Sequence, residues 1–208
     1  IKNLVGWNLS PKELLESDGE AVLDHWLVLG HEKEEIDDLM VHRNWFWGLE
    51  TGRSAIILEF ATRFITVEQV FQPGTVYHAS FMYFNTAWQH RAVMKTCLVE
   101  AAPLPKLPLF LESAAAVMNY KAEILGALPW ANDIPVLMSD VRLKPNGAAF
   151  DLIDKEGYVV RLHPNTPKDR CLNWLLHVET EYQSIAGILR DGTLLPLGIF
   201  TPKAYFIL

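Results

Sequence analysis

Residues 41–60, VHRNWFWGLETGRSAIILEF, read as two strands folded back on each other. The first, 42–48, is rich in aromatics, and the second, 54–60, is branched and apolar. Both compositions suit a pleated, covered surface. Between them Leu49-Glu50-Thr51-Gly52 makes a short turn, in which Gly52 can take a positive φ at little cost. A hairpin this apolar needs further strands or a helix over it. Neighbours on a strand point to opposite faces, so Phe46 faces one way while Trp45 and Trp47 face the other. Two readings follow: burial on both sides, or an aromatic contact surface for a partner. In the second, Trp45 and Trp47 are the candidate binding residues, rimmed by Arg43 and Arg53.

Toward the N-terminus, Ser10-Pro11-Lys12-Glu13 has the pattern of a helix start, cut short by Ser17-Asp18-Gly19. The run 23–30, LDHWLVLG, reads as a strand closed by Gly30. The acidic stretch 31–38, HEKEEIDD, reads as a solvated turn, without the ordered spacing of a calcium loop. Toward the C-terminus, Pro73-Gly74 marks a turn, 76–84 a well-covered strand, Asn85-Thr86-Ala87 another turn and 89–99 the next strand. Five strands in antiparallel meander order, curled or barrel-like to hide their edges, are the expectation for residues 1–100.

Residues 101–130 read as a connector and a helix. AAPLPKLP at 101–108 holds three prolines and is too stiff for helix or central strand. From 109 to 128, Phe110, Ala114, Val117, Lys121, Ile124 and Leu128 recur at helical spacing, and Pro129 ends the run. Residues 131–208 form a second, smaller β unit: strands at 136–143, 148–153, 158–162, 182–189, 194–200 and 204–208, with a short helix at 167–177 whose Leu172, Leu175 and Leu176 are expected to face inward. Pro145-Asn146-Gly147, Lys155-Glu156-Gly157 and Asp191-Gly192 are its turns. The fold class is α+β, mainly antiparallel β, with one central helix.

The chain has 208 residues, half of them hydrophobic, with seven Trp and ten Phe, enough for an aromatic-heavy core. A net charge of −7 and the lack of a basic run argue against a nucleic-acid surface. Cys97 and Cys171 make no disulfide framework, which points to a reducing cytoplasm. No signal peptide or membrane-length apolar run stands out, and a start at Ile1 suggests a piece of a longer protein.

Chemistry is sparse. His42, His78 and His90 fall on presumed neighbouring strands, yet none of the seven histidines has zinc-ligand spacing, so no metal site is expected. Cys97 reads as a small core residue rather than a nucleophile. No nucleophile elbow, P-loop or dinucleotide fingerprint occurs, and no catalytic residue is assigned.

The order of W-x-W-G at 45–48, T-G-R at 51–53, L-x-F-A at 58–61, P-G-T at 73–75 and W-x-x-R-A at 88–92 resembles the region after the zinc finger in bacterial SWIM zinc finger family proteins. So do the Gly6-Trp7 pair, VLDHWLVLG at 22–30, the stretch ending near Pro129-Trp130 and DGTLLPLG at 191–198. The family's C-x-C and C-x-H ligands are absent, so zinc would belong only to the missing finger. The resemblance implies a non-catalytic protein. The expectation is an interaction or scaffold region that binds a protein partner or its own missing N-terminal part. The alternative is a small-molecule or enzymatic pocket in the first β unit, lined by Trp45, Trp47, His78 or His90.

Overall fold

The computed structural model describes residues 9–61, 71–88, 90–102, 104, 106–147, 149–176, 181–202 and 204–208. Gly6-Trp7, Gln89, Pro103, Pro105, Ala148 and His177, named above, lie outside the described residues. The chain divides into two units, Ile1–Pro108 and Leu109–Leu208. Both are mainly antiparallel β with short helices, so the expected α+β class is what the structure shows.

In the first unit, helix α1 (Pro11–Leu15) opens on a capping box. The Ser10 hydroxyl accepts the Glu13 N–H, and the Glu13 carboxylate accepts the Ser10 N–H. Its one buried side chain, Leu14, packs on Met82 and Phe84. Strands β1 (Val22–Ile36), β2 (Leu39–Gly48), β3 (Ser54–Ala61), β4 (Val76–Tyr83) and β5 (Ala92–Ala102) form one sheet in the order β3-β2-β1-β4-β5.

The 41–60 hairpin forms as expected, with Trp47 opposite Ser54 and Val41 opposite Phe60. The simple meander does not. A meander would seat β4 beside β3, whereas β4 pairs with β1, Trp26 lying opposite Tyr77. The reason is burial: Trp26 stacks on Phe81 at 4.4 Å and donates its indole N–H to the Ala79 carbonyl on β4. A strand this apolar is covered on both faces, which a central place in the sheet allows. The acidic stretch is also not a turn. Residues 31–36 continue β1 in register with β2, from His31 opposite Asn44 to Ile36 opposite Leu39. Backbone pairing with a long partner outweighs side-chain charge, because exposed carboxylates on a ribbon stay hydrated.

One face of this sheet, with Phe71 from the β3–β4 connection, forms a buried cluster of Trp26, Val28, Phe46, Ile57, Phe71 and Phe81, while Leu27, Leu29 and Trp45 on the other face are buried too. Phe46 meets Phe71 and Phe81 edge-on at 4.9 and 5.1 Å. The sheet curls until its outer strands touch. The Ile56 N–H on β3 donates to the His90 carbonyl ahead of β5, and Ile56 and Arg91 form an isolated parallel bridge. No closed barrel results.

In the second unit, residues 109–113 are not helical as expected. Leu111 instead lies along the next strand, bonded to Leu137 and Ser139. Helix α2 (Ala114–Ala127) then starts at the Ser113 cap and buries Ala114, Val117 and Ile124. Strands β6 (Ile134–Asn146), β7 (Ala149–Asp154), β8 (Val159–Arg161), β9 (Gln183–Arg190), β10 (Thr193–Phe200) and β11 (Tyr205–Ile207) form the sheet β11-β10-β9-β6-β7-β8. Helix α3 (Lys168–Leu176) joins β8 to β9. Its inward face is not the expected leucine stripe: Cys171 and Trp174 are buried, while Leu172, Leu175 and Leu176 are exposed. The indole N–H of Trp174 donates to the Gln183 side chain, which fixes the helix's rotation.

The two units share one order over their first five strands, and the second adds β11 outside β10. The first strand sits centrally, the second and third fold out on one side, and the fourth and fifth on the other. In each, one isolated parallel bridge links the third-strand edge to the fifth: Ile56 to Arg91, and Leu162 to Leu194.

Candidate functional site

The β2–β3 turn is organised by one buried acid. Asp24 on β1 is 1% exposed. Its Oδ1 accepts the backbone N–H of His25 and of Glu50. Its Oδ2 accepts the Thr51 N–H and the Thr51 hydroxyl. Three of the four donors, from Glu50 and Thr51, lock the turn to the central strand. Asp24 is the one acid in the apolar run 22–30, and that isolation was the available signal for its role. Gly48 is required here by proximity, since a Cβ on it would lie 2.3 Å from Asp24 Oδ2.

The four expected contact residues are not a surface. Trp45 and Trp47 are both buried, at 0% and 8% exposure, so their large faces satisfy the sheet. The Trp45 indole N–H has no hydrogen-bond partner among the described residues. Arg43 pairs with Glu34 across the β1–β2 ribbon. Arg53 sits at the other end of the hairpin, five positions before the Leu58 that faces Arg43, or about 17 Å at the rise of a strand. Its guanidinium lies 4.7 Å above the Tyr83 ring. The structure therefore separates the two arginines and buries the two tryptophans.

An open groove of about 630 Å³ does occur in this unit, beside α1. Leu14 and Met82 form its buried floor, Leu9 and Leu23 stand half-exposed in its wall, and Arg53 and Tyr83 border it. Of the pocket residues expected from sequence, Trp45, Trp47, His78 and His90 do not line it. Burial pushes the Tyr83 phenol well above its ordinary range, and its hydrogen is donated to the Ser54 carbonyl. A phenol held in that way is a structural donor rather than a base.

The histidines separate into different settings. His42 titrates below its usual value, through partial burial and the charges of Lys33 and His31. His90 stacks on Trp88 and bonds Ser54. His78 stacks on His25, whose Nδ1 lies 3.0 Å from the Glu50 carboxylate. His42, His78 and His90, expected on neighbouring strands, thus keep separate partners, and it is His25 that stacks on His78. Cys97 is exposed rather than in the core, Cys171 is buried, and no disulfide joins them.

Among the described residues no helix is long and apolar enough to cross a membrane. No family model, curated protein or solved structure matches the chain.

Proposed function

We propose that this chain is a non-catalytic binding region of a cytoplasmic protein of the bacterial SWIM zinc finger kind, and that its first unit holds a protein partner in the groove beside α1. The observation that carries this is the groove itself. An apolar floor of Leu14 and Met82 under half-exposed Leu9 and Leu23 suits an apolar segment laid along it. Arg53 at its border suits an acidic residue of that segment.

The residues behind the family resemblance support a scaffold rather than a reaction. Gly48 admits the Asp24 carboxylate, and Thr51 binds it. Gly74 donates its N–H to the Val28 carbonyl, and Arg91 makes the bridge to Ile56. Each holds strands or turns together.

A photo-crosslinking residue placed at Leu23 in the full-length protein tests this reading. One polypeptide should be captured in stoichiometric amount, and Ala21→Trp, which fills the groove, should abolish the adduct. An adduct that survives the filled groove, or substrate turnover by the purified chain, refutes it. A second reading is favoured by the groove's size, which falls within the ordinary range for small ligands. It predicts a thermal shift with an apolar carboxylate that Arg53→Gln removes.

A further inference from the structure

We propose that the partner segment is held as an added strand, an extended antiparallel stretch of polypeptide bonded to the backbone of Leu23 in the lane that β2 leaves empty. This rests on the groove reading above and names the form of the occupant. β1 begins at Val22, but β2 ends at Gly48, which lies opposite Trp26. The Leu49 N–H then donates to the His25 carbonyl, and Asp24 holds the chain in its turn through Glu50 and Thr51. Leu23 therefore has Ser80 of β4 opposite it on one side and no β2 residue on the other.

Alternation along β1 fixes where the backbone groups point. The His25 carbonyl faces the β2 side, where it meets Leu49. Val28 faces the other way: its N–H donates to the Thr75 carbonyl, and its carbonyl accepts the Gly74 N–H, just before β4. Leu23, two residues before His25, thus aims its N–H and C=O away from β4. Among the described residues no turn or loop hydrogen bond takes either group. Leu23 is 51% exposed and lines the groove, as does Ala21 two residues earlier. An open ladder position beside an apolar floor is where an extended peptide adds to a sheet.

The pleat then sets the side-chain pattern of the occupant. One residue of an antiparallel segment can take both Leu23 groups at once. Its side chain lies on the same face as Leu23 and Ser80, and so as Met82, which packs with Leu14. That position suits an apolar residue. The residues on either side of it point to the opposite face, which carries Tyr83 with the Arg53 guanidinium over its ring. An acid there faces Arg53. The occupant is therefore an alternating apolar and polar segment, recognised chiefly through its main chain.

A synthetic pentapeptide, Thr-Val-Asp-Val-Thr, acetylated at its N-terminus and labelled with fluorescein at its C-terminus, tests this with the whole chain by fluorescence anisotropy. Saturable binding is expected, together with slower hydrogen exchange at the Leu23 amide. Methylating the two valine nitrogens keeps every side chain and should weaken binding at least about fivefold, the effect of one lost hydrogen bond. Leu23→Pro removes an N–H that the β1–β4 ladder does not use, and should weaken binding about fivefold more than Leu23→Ala. The methylated peptide keeps the test valid if Leu23→Pro fails to fold. Binding unchanged by methylation, or no saturable binding below about 1 mM, overturns the added strand and leaves the groove reading standing. The groove reading falls on a different result, a crosslink at Leu23 that survives Ala21→Trp, and the added strand falls with it.

Discussion

Gly48→Ala should be among the most damaging single-methyl additions in the first unit. The added Cβ would stand 2.3 Å from Asp24 Oδ2, 2.7 Å from Thr51 Oγ1 and 3.0 Å from Asp24 Cγ. The obstacle is a buried carboxylate fixed by four donors, not the loose end of a long side chain. Relief needs a shift of about 1 Å, since non-bonded heavy atoms settle near 3.5 Å. Such a shift breaks the two bonds to Oδ2, from the Thr51 N–H and the Thr51 hydroxyl. Hydrogen bonds to a charged group contribute about 1.5–3 kcal/mol each, which puts the loss at about 3 kcal/mol or more. Gly52→Ala is the internal comparison. Gly52 has φ +66° with nothing within 4 Å of a new Cβ, so only the left-handed backbone resists, at about 1–2 kcal/mol. Urea denaturation followed by tryptophan fluorescence measures both. In an Asp24→Ala background, Gly48→Ala should lose most of its effect, because the nearest clash partner is gone and the Thr51 hydroxyl, no longer bonded to it, can turn aside. A Gly48→Ala cost no larger than that of Gly52→Ala, or one unchanged without Asp24, would refute the reasoning.

Three further outcomes follow from the geometry. Asp154 is 2% exposed and accepts the backbone N–H of Ala114, Glu156 and Tyr158, so Asp154→Ala should both uncap α2 and loosen the β7–β8 turn. A loss of about 3 kcal/mol is expected, read as a lower urea midpoint. Leu176→Lys, at a position 80% exposed, should change stability by less than about 0.5 kcal/mol, whereas Trp174→Ala should cost about 3–5 kcal/mol. His42 is held below its ordinary value of 6.5 in the folded chain, so the unfolded chain binds the proton first. Its neutral form therefore supports folding above that pH, and the support is lost as pH falls toward the lower folded value. His42→Gln should flatten that part of the stability profile.

The hairpin and most strands were legible because their pattern is local. Residues 42–48 and 54–60 alternate large side chains about a turn-forming tract, and a hairpin's register follows from its turn. The capped start of α1 and the Asp191-Gly192 turn were legible for the same reason. The strand order was not. β1 and β4 are apolar on both faces, so nothing local says which edge each takes; the Trp26 contacts with Phe81 and Ala79 decide it. Nor was the face of α3, since leucines and Trp174 compete for the interior and the bond to Gln183 selects the tryptophan.

The sequence by itself determined an antiparallel β protein with short helices, because alternation, caps and turns act over a few residues. The tertiary structure alone decided that the two units repeat one order over five strands, that Trp45 and Trp47 are interior, and that His25 stacks on His78 and bonds Glu50. Those facts depend on pairings between segments tens of residues apart, where the free energy of burying whole faces, rather than any local preference, chooses the neighbour.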